Sequence, residues 1–187
     1  MPVVAVRVAV MFVGIQTRRQ RRLLWATPLL FAALWVAYIV SAMRAPAGRI
    51  ATALDWGVLT GGLDSMVAWQ AAMADGSVLR LVSGLFLHAD WIHLLGNLVF
   101  LLIFGLPAER TMGGRRFLLL FLLGGAVANL AAVLAIGAPD RVVIGASGAV
   151  SAVIGAYLAL FPGARLGVVL PLGLFLEFVR VPAFLLI

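Results

Sequence analysis

The sequence has no cysteine and no lysine, and only seven acidic residues among 187. Without cysteine there is no disulfide, no thiolate metal site and no cysteine nucleophile. Without lysine, all fourteen basic side chains are arginine, giving a net charge of +7. Such a charge is compatible with nucleic acid. No basic stripe with interleaved aromatics is present, however, and nucleic acid is not an expected partner. The arginines gather at the ends of apolar runs, as they do in the cytoplasmic loops of membrane proteins. Charged residues make up 11% of the chain and hydrophobic ones 64%, with a mean hydropathy of +1.15. A soluble domain is nearer half apolar. The length accommodates one membrane domain and no large soluble one.

The apolar excess falls in long runs, which is the membrane signature. Five are predicted as spanning helices: Leu23–Met43, Leu85–Leu106, Phe117–Gly137, Gly145–Phe161 and Leu166–Ile187. The predicted fold class is all-α, a polytopic membrane helical bundle with about five transmembrane helices. Residues 1–22 read as a cytoplasmic N-terminal segment and 23–187 as the membrane domain. Arg18, Arg19, Arg21 and Arg22 hold the N-terminus inside, and Arg110, Arg115, Arg116 and Arg165 then fall on the same side. The opposite side receives Arg44, Arg49, Arg80 and Arg141 with Asp55, Asp64, Asp75 and Asp140. The long polar interval Arg44–Ser83 is expected to form short amphipathic helices at the outer surface. Glu109 and Arg110 read as a cytoplasmic loop pair. Glu177 and Arg180 read as an i, i+3 pair inside the last span. Met1–Ile15 carries no functional signal.

Span counting puts His88 and Ser147 near one external face. Ser147 stands in Gly145-Ala146-Ser147-Gly148-Ala149 at the start of a span. Small residues there leave the first-turn N–H groups uncovered, and these favour a negative charge. His93 and Asn97 are four apart and share a helix face. Both can donate hydrogen bonds to a developing oxyanion, as can the Ser147 amide, and one such donor is worth about 10²–10³ in rate. Taken singly, these residues have a plainer reading, as hydrogen bonds and small-residue packing between helices. Gly148, Ala152 and Gly155 fit such a packing face. The full set on one side of the membrane favours catalysis. His88, Asp90 and His93 lack the spacing that aligns metal ligands on a helix, so no metal is expected. Asp90 reads as a helix-start residue.

Arg80, the run His88-Ala-Asp-Trp-Ile-His93-Leu-Leu-Gly-Asn97, the stretch Gly105 to Glu109, and Gly145-Ala-Ser147-Gly148 together resemble the rhomboid family of intramembrane serine proteases, in its bacterial form. The resemblance runs from about Arg80 to the C-terminus. It implies a rhomboid-like bundle in the bacterial plasma membrane with its active site toward the external face. It implies Ser147 as nucleophile, with His93 and Asn97 joining the Ser147 amide as oxyanion site. Gly145, Gly148 and His88 support that site; Arg80 and Glu109 are structural. Substrates would be transmembrane segments of other proteins in the lipid bilayer, and no cofactor is implied. One element of the family pattern is missing. The base histidine belongs to a sixth helix, and this chain's two histidines both match other positions. A serine hydroxyl is a poor nucleophile without a base. Loss of a triad member leaves only about 10³–10⁴-fold over water. The sequence stops inside an apolar run, Phe184–Ile187, and reads as cut short before that helix. The expected chain is therefore catalytically incomplete, with a non-catalytic membrane-protein-binding relative as the alternative.

Overall fold

The computed structural model describes residues 23–60, 63, 65–136, 141–172 and 175–182, with the backbone alone for 166–182. The expectations for residues 1–22, including the arginine block, and for Asp64 and Asp140 lie outside the described residues. Helix α1 (Ala26–Ala42) leads to α2 (Pro46–Trp56), strand β1 (Val58–Leu59) and α3 (Met66–Ala74). A short α4 (Arg80–Ser83) follows between two single 3₁₀ turns. Helices α5 (Trp91–Phe100) and α6 (Leu106–Met112) are one continuous helix joined through a π turn at Leu101–Gly105. Then come α7 (Gly114–Ala135), β2 (Val142–Val143), α8 (Ser147–Leu160), β3 (Arg165–Leu172) and β4 (Phe175–Pro182).

Local chemistry sets several boundaries. Asp90 caps α5, its carboxylate accepting the His93 N–H at 2.8 Å. Ser65 caps α3 in the same way. Pro107 lacks an N–H to give the helix interior, and the π turn just before it loosens the ladder there. Gly113, at φ +87°, ends that helix and lets α7 begin at once.

Trp91–Met112 and Gly114–Ala135, 22 residues each, are long and apolar enough to cross a membrane; Ala26–Ala42 and Ser147–Leu160 are shorter apolar helices. One core joins all four, built on Leu30, Leu34, Leu94, Leu98, Phe104, Phe117, Phe121 and Val153. The opposite faces expose Val36, Ile39, Leu119, Leu123 and Val127, as lipid-facing surfaces do. Helices α7 and α8 approach along small residues. A Cβ at Gly124 would come within 2.5 Å of Ala152, and one at Gly148 within 2.5 Å of Ala128. Gly155 meets nothing within 4 Å and takes no part in this seam.

Three expectations need correction. The second span starts at Trp91 rather than Leu85, so His88 precedes it, and it continues to Met112, taking Glu109 out of any loop and burying it completely. The interval before it contains a strand as well as helices: β1 pairs antiparallel with β2, Val58 opposite Val143 and Leu59 opposite Val142. No helix forms among the described residues of the predicted fifth span. Arg165–Leu172 and Phe175–Pro182 pair instead as antiparallel strands, Leu172 with Phe175 and Arg165 with Pro182. Hydropathy reports apolar length, not period. This stretch carries the β-branched Val168, Val169, Val179 and Val181, with Gly167 and Pro171, which disfavour a helix. Glu177 and Arg180 consequently stand opposite Leu170 and Gly167, not one helical turn apart. The apolar helices among the described residues are Ala26–Ala42, Ser77–Phe86, Trp91–Met112, Gly114–Ala135 and Ser147–Leu160, in keeping with the expected all-α membrane bundle.

Candidate active site

The site forms where the N-terminal ends of α5 and α8 meet. Gly145 has φ +116°, a conformation L side chains rarely adopt. Its missing Cβ also makes room for a neighbour, since a Cβ there would sit 2.8 Å from His93 Cε1 and 3.2 Å from His93 Nε2. His93 therefore lies directly over the glycine two residues before Ser147. The Gly145 N–H donates to the Gly84 carbonyl at 2.9 Å. Ser147 opens α8, is exposed, and has no hydrogen-bond partner for its hydroxyl among the described residues. Ser151, one turn on, donates back to the Ser147 carbonyl at 2.9 Å.

His88 ties the two helix ends together. Its Nε2 lies 3.0 Å from Asn97 Nδ2 and 3.3 Å from the Ala146 N–H. A backbone N–H can only donate, so Nε2 is the acceptor and the ring proton sits on Nδ1. Asn97 must then present its amide nitrogen to the ring, which uses one of its two N–H groups and leaves the other free. The ring is 4% exposed. Its Nδ1 has no well-aligned partner, although the Phe86 carbonyl is close enough to favour the charged form slightly. Burial, and then the neighbouring His93 ring at 5.2 Å, push the His88 imidazole down to about 4. It is neutral at ordinary pH. A cavity of about 360 Å³ flanks this ring on the α2 side, with Ser41, Arg49, Thr52, Leu87 and Ile144 in its wall.

The His93 ring thus packs on Gly145, and the buried His88 joins Asn97 to the Ala146 N–H, all beside the start of the helix that Ser147 opens. Gly148 packs closely against Ala128 of α7. Arg80 reaches the Leu54 carbonyl through Nη1 at 3.2 Å and ties the end of α2 to α4. Glu109 sits at the far end of the α5–α6 helix. Its Oε1 accepts the Trp25 and Ala26 N–H groups and its Oε2 the Thr27 N–H, all at 2.8 Å, so that it caps α1. Sequence reasoning missed this cap and the His88–Ala146 link. Both are long-range contacts with no local signature.

Residues 75–187 match the family model described as the rhomboid domain. The chain is 34% identical over 96 residues to a Bacillus subtilis protein, YdcA, assigned by name to the rhomboid proteases; the match covers 51% of this chain and 47% of that one. It is 33% identical over 85 residues to RHOMBOID-like protein 5 of Arabidopsis thaliana, covering 46% and 28%. It is 37% identical over 92 residues to Rhomboid-like protease 3 of Toxoplasma gondii, covering 49% and 34%. The matched regions span about half or less of these relatives. No solved structure matches the chain significantly.

Proposed function

The chain belongs to the rhomboid family, and from that premise we propose that it works as an intramembrane serine endopeptidase with Ser147 as nucleophile. The observation that carries this reading is the exposed, unpartnered Ser147 hydroxyl beside Gly145, with the His93 ring packed on that glycine and Asn97 held one bond away through His88. Ser147 Oγ attacks a carbonyl of a transmembrane segment from another protein. The tetrahedral oxyanion accepts from the Ser147 N–H, from the His93 ring and from the free Nδ2–H of Asn97. An acyl-enzyme forms and water releases it. The N-terminus faces the cytoplasm and the site opens toward the external side of a bacterial plasma membrane.

The hydroxyl must lose its proton to a base. His88 Nε2 already receives two donors, and His93 serves the oxyanion. The base in this proposal is a histidine other than these two, in an Ala/Gly-His-x-x-Gly setting. A second reading, a relative that binds membrane proteins without cutting them, is favoured by one observation: neither of the two histidines hydrogen bonds to Ser147.

The test is activity-based labelling. The protein as its genome encodes it, in detergent or liposomes, is treated with a fluorophosphonate probe and the adduct located by mass spectrometry. Labelling at Ser147, lost in Ser147→Ala, supports the peptidase. An unlabelled protein that still captures transmembrane segments supports the binder.

A further inference from the structure

The segment that delivers the nucleophile has little regular structure of its own. Between Arg141 and Ala146 it consists of the two-residue strand β2 and a glycine at φ +116°. Rotation about that glycine decides where the Ala146 and Ser147 amides point, so something outside the segment has to fix it. The outer segment Gly57–Thr60 does so from one side. Val58 and Leu59 pair with Val143 and Val142. The Thr60 N–H donates to the Arg141 carbonyl at 3.0 Å; its hydroxyl donates to that same carbonyl at 3.2 Å and accepts the Arg141 N–H at 3.1 Å. Gly57 allows the approach: a Cβ there would fall 2.5 Å from Val142 Cγ1 and 2.8 Å from Ile144 Cγ2.

The outer segment is in turn fixed to α4. Ser83 Oγ donates to the Trp56 carbonyl at 2.7 Å and Arg80 reaches the Leu54 carbonyl. Gly84 joins the two halves, because its carbonyl accepts the Gly145 N–H while the Val143 carbonyl and Val58 side chain pack over it. Two segments distant in sequence, Leu54–Thr60 and Arg80–Gly84, thus close on the loop that carries Gly145.

We propose that Gly57–Thr60 is a positioning clamp for the nucleophile loop, and that Thr60 is its positioning residue, acting on Ser147 through Arg141, β2 and Gly145. Thr60 touches no reacting atom. The inference rests on Ser147 being the nucleophile, and its test has one arm that does not.

Thr60→Val keeps the side-chain shape and removes the hydroxyl. In the full-length protein it is expected to lower kcat about tenfold, the worth of roughly one well-made hydrogen bond, with KM within about twofold. Amide exchange at Gly145 and Ala146 should quicken by about the same factor. Thr60→Ser, which restores the hydroxyl, should recover both. The absence of native cysteine permits a further check. Val58→Cys with Val143→Cys, oxidised, ties the strands covalently and should rescue Thr60→Val. Unchanged exchange at Gly145 in Thr60→Val overturns the clamp even if the protein proves to be no peptidase. So does a loss of kcat that tracks the unfolded fraction and is recovered neither by Ser nor by the cross-link. A wild-type protein that neither labels nor cleaves, with exchange quickened as expected, leaves the clamp standing and removes the peptidase reading.

Discussion

The two ends of the α5–α6 helix handle polar groups in opposite ways. At one end Glu109, fully buried, has both carboxylate oxygens occupied by three amide donors at equal length. At the other, Ser147 has no partner, Asn97 keeps a free N–H and His88 Nδ1 is unpaired. About 24 Å of helix separates His93 from Glu109, at 1.5 Å per residue. A polar group in a membrane protein must be satisfied by its neighbours or carry an energetic penalty. Glu109, fully satisfied, acts as glue, although the buried Thr27 hydroxyl beside it has no hydrogen-bond partner among the described residues. Under the proposed peptidase function, the unsatisfied end would keep donors in reserve for a charge that appears only during reaction, an arrangement that favours a transition state over a ground state.

The comparison can be broken at the reactive end first. Asn97→Ala removes one oxyanion donor, and with it the amide that holds His88. A fall of about 10²–10³ in kcat is expected, with little change in thermal stability; a cleavage assay in proteoliposomes beside a melting curve checks both. A large loss of Tm with kcat preserved would make Asn97 a helix tie and dissolve the contrast.

At the satisfied end the signs reverse. Glu109→Gln retains one acceptor oxygen and leaves at least one of the three α1 amides short of a partner. The expected penalty is about 1–3 kcal/mol, or roughly several degrees of Tm, with kcat per folded molecule unaltered. Differential scanning in detergent reads the first quantity, and active-site titration with the probe the second.

The smallest effect concerns pH. His88, which precedes the spanning helix, is held neutral down to about 4 by burial and then by His93, against 6.5 for the ordinary ring. Between those values the unfolded chain takes up a proton that the folded chain refuses, so stability should decline as pH falls from about 6.5 to about 4 and level off below. His88→Phe should flatten that slope by roughly a few degrees of Tm, measured over pH 4–7.5. An identical slope in the variant would assign the dependence elsewhere.

How far the residues announce this architecture depends on the range of the interaction. Asp90 is legible as a cap because the amide it accepts is three residues away. The approach of His93 to Gly145, two residues before Ser147, is legible because span counting places the two helix ends on one face. Glu109 is not, since its partners lie more than eighty residues upstream and a charge beside Arg110 near a predicted span end looks like any loop pair. Strand β1 is too short to leave a period. The strand pair Arg165–Leu172 and Phe175–Pro182 hides inside an apolar run that is long enough for a helix, and only its valines, glycine and proline argue otherwise. His88 shows a different gap. Its role follows from a tautomer, which depends on where the Ala146 amide points and on no pattern in the chain.

The Glu109 cap also has a consequence for biogenesis. The amides of Trp25, Ala26 and Thr27 are synthesised first, and their acceptor emerges 82 to 84 residues later. During that interval the first helix has its opening turn uncapped and must keep it hydrated at the headgroups. The opening turn of α1 gains its buried acceptor only once Glu109 is in place, so this cap is completed late in synthesis. A nascent chain stalled before codon 109 should therefore hold its first helix loosely, however much of the bundle has already been inserted.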